Sequence, residues 1–301
     1  MNRRLKDFLI YRTPVGLARA QYKFRIKPNS ESDENAILLR LTSRISHPKT
    51  FVEFGFHAHE FNCIGLARTY SGLLIDRDER SVVLAKRMLP SSVEAVAQFL
   101  TLDSLNIIEE RFPAATLGVL SIDVDGNDYW FLERLINLRP AIISVEYNAS
   151  FGKRPISVPY DPTFIRHNKH KSGWYHGASL SAMAHLCSNH SYDLAAVSEA
   201  GVNAFFVRRD VWDPAMPKLS PDNAYRQHRR RNQWSGMTAE EQWQAIRDLP
   251  YVSMDNRGYR AGTSAEIKEL ISVILCKSGP ARAVAVGPEA SVAIRRVTGG
   301  D

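Results

Sequence analysis

The chain has 301 residues, of which 44% are hydrophobic and 24% are charged, and these values are typical of an ordinary folded protein. No apolar run approaches the ~20 residues of a membrane-spanning helix, and Asp7 and Arg12 interrupt the apolar start of the chain, which is not typical of a secretory signal. The net charge of +7 is concentrated in residues 1–30, while the remainder of the chain is neutral.

The first 49 residues are predicted to form a basic N-terminal arm and a helix. Such an arm is suited to contact an anionic membrane surface or another polyanion, and the alternative is a solubilising segment that packs loosely. The cysteines follow no metal-ligand spacing and are predicted to be buried, reduced thiols of a cytoplasmic protein. These cysteines are Cys63, Cys187 and Cys276.

Strands and helices alternate between residues 50 and 148. Five apolar strands are predicted at 50–56, 72–76, 93–100, 117–124 and 140–148. Helices are predicted between them at 61–70, 79–88, 103–112 and about 128–137. This alternation is typical of an α/β protein with a parallel sheet and right-handed crossovers.

The pattern changes after residue 148. Residues 149–175 contain three prolines and no clear period, as expected of a long functional loop or a disordered one. A helix is predicted at 177–189, followed by strands at 192–197 and 202–208 that only four residues separate. So short a connection allows a hairpin but no parallel crossover, so the sheet is expected to end in an antiparallel pair.

Five strand–helix units followed by a helix and a hairpin resemble the class I S-adenosylmethionine-dependent methyltransferase fold. The resemblance implies a Rossmann-like sheet of order 3-2-1-4-5-7-6 with an antiparallel last strand. We therefore assign residues 50–212 to a methyltransferase-like domain. Residues 213–277 are predicted to be an accessory helical segment, and residues 278–301 a partly ordered tail with three Gly-Pro or Gly-Gly pairs.

Polar groups at the strand ends are the candidate cofactor ligands, because crevices in open α/β sheets lie at the carboxyl ends of the strands. Gly55 lets the backbone approach a nucleoside, and Glu53 beside it is suited to an ammonium group. Asp76 ends the second strand, where an acid accepts both ribose hydroxyls. Asp103 is predicted to meet the adenine amino group, and Asp123 to contact the cofactor. Helix capping is the alternative for Asp76 and Asp103.

Further polar groups end the fourth and fifth strands. Asp125 follows the fourth strand, and Glu146 and Asn148 end the fifth. Adjacent strands lie about 4.8 Å apart, so these groups can converge. Three interpretations stay open: a Mg²⁺ or Ca²⁺ site formed by these three residues, a metal-free general base at Asp125 or Glu146, and a structural role. His176 opens the next helix and is a candidate base or substrate contact.

Residues 50–212 also resemble FkbM-like methyltransferases, and more closely a bacterial subgroup of that family. The motifs that carry this resemblance are Ile-Asp-Val-Asp-Gly-Asn-Asp-Tyr-Trp at 122–130, Glu-Tyr-Asn at 146–148, Gly-Ala-Ser-Leu at 177–180 and Asn-Ala-Phe-Phe-Val-Arg at 203–208. The resemblance implies O-methyl transfer, with S-adenosylmethionine bound over Glu53, Gly55 and Asp76. It also implies a sugar, a glycan precursor or a related metabolite as the acceptor.

The sequence thus predicts a cytoplasmic O-methyltransferase in which Asp125 and Glu146, with His176 and with or without a metal, deprotonate the acceptor. One alternative is a non-catalytic scaffold of the same fold that residues 1–30 recruit to a membrane. Another is a nucleic-acid methyltransferase that uses the basic and aromatic run at 225–234. That alternative is unfavoured, because a motif for base amines is missing and the run is as readily a solvated helix face.

Overall fold

The computed structural model describes residues 29–255 and 258–262 of the chain. Within these residues the strands are β1 (Thr50–Phe54), β2 (Ser71–Asp76), β3 (Val93–Ala97), β4 (Val119–Ile122), β5 (Ile142–Glu146), β6 (Ile156–Ser157), β7 (Tyr192–Val197), β8 (Asn203–Arg208), β9 (Tyr251–Asp255) and β10 (Gly258–Gly262). The helices are α1 (Glu34–Thr42), α2 (Glu79–Met88), α3 (Asn106–Arg111), α4 (Asp128–Leu135), α5 (Arg166–Lys169), α6 (Leu180–Asn189), α7 (Pro221–Ala224), α8 (Arg229–Ser235) and α9 (Ala239–Ile246).

The main sheet has seven strands in the order β3-β2-β1-β4-β5-β8-β7. β1 to β5 pair in parallel, whereas β8 is antiparallel to both of its neighbours, β5 and β7. Counted without the short β6, this is the order 3-2-1-4-5-7-6 with an antiparallel last strand. The predicted class I methyltransferase fold is therefore confirmed.

Both faces of the sheet are covered, which is why its central strands are apolar without alternation. All residues of β4 and β5 are buried. Alternate residues of β1 enter different apolar clusters, with Phe54 in one and Phe51 in the other. Phe54 meets Phe131 of α4 edge to face, with 6.5 Å between the ring centroids.

The helices begin at residues set by local capping signals, and these differ from the starts that the spacing of apolar residues predicts. The helix expected at 177–189 begins only at Leu180, because the Ser179 side chain accepts a hydrogen bond from the Ala182 backbone N–H as its N-cap. Thr238 and Glu241 form a capping box at the start of α9. The helix expected at 61–70 is reduced to a 3₁₀ turn, Leu66–Arg68.

The segment after residue 212 is not purely helical. It contains α7, α8 and α9, but β9 and β10 form strands in a small antiparallel sheet of order β10-β9-β6. β9 pairs with β6 of the long loop, with Ile156 opposite Ser253. β9 also pairs with β10 over five residue pairs, so this sheet combines a local hairpin with a distant contact. The helix expected after residue 263 and the tail 278–301 lie outside the described residues.

Cys63 and Cys187 are buried and have free thiols. In the part of the chain that the structure describes, every helix is too short or too polar to cross a bilayer. Cys276 and the basic residues 1–28 lie outside the described ranges.

Gly55, directly after β1, lies against the backbone at the end of β4. Its φ is +70°, and a Cβ there would be 1.4 Å from the backbone carbonyl oxygen of Asp123. A real side chain would have to push the two strand ends apart, so glycine is required both for its conformation and for the close approach.

We expect Gly55→Ala to lower the free energy of unfolding by at least about 3 kcal/mol, because strain and a backbone clash act together. Gly236→Ala is the matched control: its φ is +68° but nothing lies within 4 Å of the added Cβ. The control should lose only about 1 kcal/mol, the cost of a left-handed conformation for an L-residue. Urea denaturation measures both, and equal losses would contradict the close approach.

Candidate active site

A cleft of about 430 Å³ opens at the carboxyl ends of β1, β2 and β4. Gly55, Asp76, Asp123 and Asp125 line it together, as the strand-end argument predicts. Residues of the long loop 149–175 close one side through Phe164, Ile165, Arg166 and His167. The cleft therefore combines the predicted strand-end acids with the loop.

The wall beyond β3 differs from the prediction. Asp103 is exposed at the start of a 3₁₀ turn and is not among the residues that line the cleft. Gln98, Phe99 and Leu100 form that wall instead, and Phe99 keeps 43% of its surface exposed. β3 ends at Ala97, whereas the apolar pattern predicts a strand up to residue 100. The residues directly after the strand therefore form the cleft wall, and Asp103 lies beyond it.

Asp76 ends β2 and faces the cleft. One of its carboxylate oxygens accepts a hydrogen bond from the Asp78 backbone N–H at 2.6 Å. Asp78 itself caps α2, so the helix-cap role belongs to Asp78, and Asp76 keeps its position in the cleft wall. Burial raises the pKa of Asp76.

Glu53 is buried and bonded to the backbone. Its two oxygens accept hydrogen bonds from the N–H groups of Asn62 and Cys63 at 2.6 and 2.8 Å. Burial raises its pKa to about 7 despite these bonds. Glu53 therefore orders the segment after β1, and it also borders a smaller cavity of about 190 Å³ beside the cleft.

That smaller cavity is acidic, and Gly55 and Asp123 line both it and the cleft. Its other acids are Glu31, Glu53 and Glu60. The segment after Gly55 has no second glycine, and Phe56 and His57 line both the cleft and this cavity. Phe56 is buried and packs edge to face against Phe61, with ring centroids 6.3 Å apart.

The turn after β4 projects Asp125 over the cleft. Asp128 is buried, and its carboxylate accepts hydrogen bonds from the N–H groups of Val124 and Gly126 at 2.8 and 2.9 Å. Burial raises the pKa of Asp128 to about 6. Asp125 has a φ of +58°, which aspartate tolerates better than most residues, and it forms an ion pair with Arg166.

Glu146 and His176 form the buried part of the site. Oε2 of Glu146 and Nδ1 of His176 lie 3.7 Å apart, and neither atom has a hydrogen-bond partner. With Asp125, they present polar atoms that all lie within 4.8 Å of one another. Burial raises the pKa of Glu146 well above its usual range, and the charges of Asp125 and Asp128 raise it further. Burial raises the pKa of Asp123 as well, and the charge of Glu146 raises it further.

Arg231 completes the cluster from α8, in the basic run at 225–234. It is only 8% exposed, and its Nη1 donates to Asn148 Oδ1 at 2.9 Å and to Ser150 Oγ at 3.0 Å. Its Nη2 lies 2.8 Å from Nε2 of His176. The description of this run as a solvated helix face is therefore wrong for Arg231.

The contact with Arg231 defines the protonation of His176. A guanidinium can only donate, so Nε2 of His176 accepts and the neutral ring carries its proton on Nδ1. Burial and the charge of Arg231 lower the pKa of His176 well below its usual range, which keeps the ring neutral. The Nδ1–H group then faces the carboxylate of Glu146.

These contacts do not fit the metal site predicted at Asp125, Glu146 and Asn148. Oδ1 of Asn148 accepts from Arg231 and from the Ser150 N–H, and Nδ2 donates to the carbonyl groups of Trp174 and His176. A cation at Oδ1 would meet the guanidinium, and the protonated Nδ1 of His176 offers no lone pair. Asn148 therefore has a structural role, and the magnesium hypothesis is not supported.

No family profile matches the sequence, and a search of curated proteins finds no match. Among solved structures, the chain is similar to a TehB-like SAM-dependent methyltransferase from Corynebacterium glutamicum (9% identity, TM-score 0.34, 64% of this chain and 96% of that one). It is also similar to the N-terminal domain of EvdMO1 in the presence of SAH and D-fucose (11% identity, TM-score 0.38, 65% of this chain and 97% of that one). A third is a SAM-dependent methyltransferase from Geobacter sulfurreducens in complex with S-adenosyl-L-homocysteine (16%, 0.34, 60% and 72%). Likenesses this distant carry no argument about activity, and the fold assignment rests on the strand order.

We expect Arg231→Met to lower the free energy of unfolding by about 3 kcal/mol, because three buried acceptors lose their donor. Arg230→Met is the matched control, since this neighbouring side chain is 62% exposed and pairs with Glu31 at the surface. The control should lose less than about 1 kcal/mol. Chemical denaturation of both variants measures the difference, and similar losses would contradict the buried network.

Proposed function

We propose that this chain is an S-adenosylmethionine-dependent O-methyltransferase that acts on a hydroxyl of a small acceptor. The observation that carries the proposal is a cleft, at the carboxyl ends of this sheet, that adjoins a buried cluster of carboxylates and histidine. Its volume of about 430 Å³ is within the range of small-molecule sites.

The donor set of the cleft fits the cofactor. Asp76 is at the strand end where an acid accepts ribose hydroxyls, and Phe99 offers an exposed aromatic face for a base. Asp123 and the acidic cavity beside it suit the ammonium group at the amino acid end of the cofactor. When bound, S-adenosylmethionine supplies an electrophilic methyl group on its sulfonium.

The carboxylate cluster supports deprotonation of the acceptor. Asp125 lines the cleft, and Glu146 lies behind it with a raised pKa, which suits a group that must take up a proton near neutrality. The Asp125–Glu146 pair receives the proton that the acceptor hydroxyl loses as its oxygen takes the methyl group. His176 and Arg231 act as positioning residues, because they hold the environment of Glu146.

Alignment of the donor and the acceptor provides the rest of the acceleration, since a held geometry removes an entropic barrier. Residues of the loop 149–175 line the cleft and are suited to hold the acceptor there. The FkbM-like motifs support a sugar, a glycan precursor or a related metabolite as that acceptor. We place the reaction in the cytoplasm, with residues 1–30 as a contact to an anionic membrane surface.

We expect calorimetry to detect binding of S-adenosylhomocysteine to the full chain. Asp76→Ala should weaken this binding by about 10- to 100-fold, because hydrogen bonds to a charged group are lost. Asp103→Ala is the control and should leave the affinity within about twofold, since Asp103 is exposed outside the cleft. If the unaltered protein does not bind, the enzyme hypothesis is wrong and a non-catalytic scaffold is favoured.

We also expect the rate of methyl transfer to rise with pH, because the raised pKa of Glu146 leaves it protonated and inactive at lower pH. Glu146→Gln should lower kcat by about 100-fold and remove this rise. Glu133→Gln is the control: burial in α4 raises the pKa of Glu133 to about 7, but it lies outside the cleft. Initial rates with labelled S-adenosylmethionine test this, and a pH rise that survives in Glu146→Gln would assign the proton to another group.

A further inference from the structure

A second cavity, of about 570 Å³, adjoins the cleft, and Arg166 and His167 line both. We refer to it as the basic cavity because of its lining. Its charged or titratable lining residues are Glu31, Arg166, His167, His228, Arg230 and Arg231. Two tryptophans, Trp174 and Trp234, also line it.

The charge of the basic cavity is positive. Three arginines line it against one carboxylate, Glu31, which pairs with Arg230 at 2.7 Å, while Arg166 pairs with Asp125 of the cleft. The hydrogen bonds recorded for Arg231 all go to neutral partners, so its buried charge has no carboxylate bonded to it there. The paired N–H donors of an arginine guanidinium match the oxygens of phosphate or carboxylate.

The basic cavity also has an exposed aromatic side chain. Trp234 keeps 83% of its surface exposed, the highest value among the exposed large hydrophobic residues in the described part of the chain. Phe99, the other exposed aromatic of that group, lines the cleft. Exposing a large apolar ring to water is unfavourable. The ring of Trp234 beside the arginines therefore indicates a ligand with an anionic group and a flat face.

We propose that the basic cavity binds the methyl acceptor, and that this acceptor carries a phosphate or carboxylate group. Arg230 and Arg166 bind the anionic group, Trp234 packs against the body of the molecule, and the acceptor hydroxyl reaches Asp125 past Arg166. This inference rests on the proposed methyltransferase function and adds the charge of its substrate.

A small anionic ligand fits the basic cavity better than a nucleic acid. A nucleic-acid surface requires basic residues along an extended face, whereas Arg231 of the same run is turned inward to Asn148 and His176. A volume of about 570 Å³ is that of a site for a small molecule.

The experiment titrates the full chain with glucose 1-phosphate, glucuronate and neutral glucose by calorimetry at low salt. We expect binding of at least one anionic probe and none of glucose, and the tighter anion identifies the preferred group. Arg230→Gln should weaken that binding by about tenfold or more. Arg229→Gln removes the same charge from the same helix at an exposed position outside the lining, and it should change the affinity by less than about twofold.

Trp234→Ala distinguishes the contribution of the aromatic ring to binding from that of the arginines. It should weaken binding of the sugar probe about tenfold and leave the affinity for the inorganic phosphate or carbonate ion unchanged. Equal losses in Arg229→Gln and Arg230→Gln, or equal binding of glucose, would overturn the inference. Tighter binding of a single-stranded RNA oligonucleotide than of either sugar anion would overturn it in favour of nucleic acid.

Titration of the same preparations with S-adenosylhomocysteine separates the two proposals. If S-adenosylhomocysteine binds and the sugar anions do not, the acceptor inference is wrong and the proposed function stands. If S-adenosylhomocysteine does not bind, both are wrong, whatever the anions do.

Discussion

The structure depends on how several carboxylates are held close together, with Glu146 buried and Asp125 exposed. Asp123, Asp125 and Glu146 end adjacent strands, and burial, followed by repulsion between carboxylates, raises the pKa of Asp123 and Glu146. Two cations oppose that repulsion: Arg166 pairs with Asp125 from the long loop, and Arg231 lies on the far side of His176. Without these cations, burial of the acids would favour protonation or local opening. The loop and α8 are therefore electrostatic requirements of the site.

The sheet and part of the site follow from local sequence, because they depend on local signals. Apolar runs that end on acids locate β4 and β5, and a four-residue connection identifies the hairpin β7–β8. Asp76 and Asp125 line the cleft because a residue at the end of a parallel strand has little choice of position. Asp103 fails for the corresponding reason: it lies in the turn after β3, where a shift of a few residues moves a side chain out of the cleft.

The rest of the site depends on contacts between distant residues. A reader of the sequence sees Arg231 in a basic run, and its burial depends on Asn148, 83 positions away. The small sheet likewise joins β9 to β6 of the long loop, in addition to the local pairing of β9 with β10. The metal hypothesis is not supported for the same reason, because Asn148 has the right chemistry but its amide bonds to Ser150 in its own turn and to groups from two distant segments. Amino-acid composition and the spacing of apolar residues contain no information about such distant partners.

The junction between Arg231 and Asn148 has a consequence for the modularity of the protein. Residues 50–212 contain the complete main sheet, and by topology alone they look like a portable unit. Cutting the chain after residue 212 would nevertheless remove the Arg231 donor from Nε2 of His176 and from Oδ1 of Asn148, which would keep only the Ser150 N–H. Grafts, circular permutants and minimal fragments of this protein therefore need α8 in place.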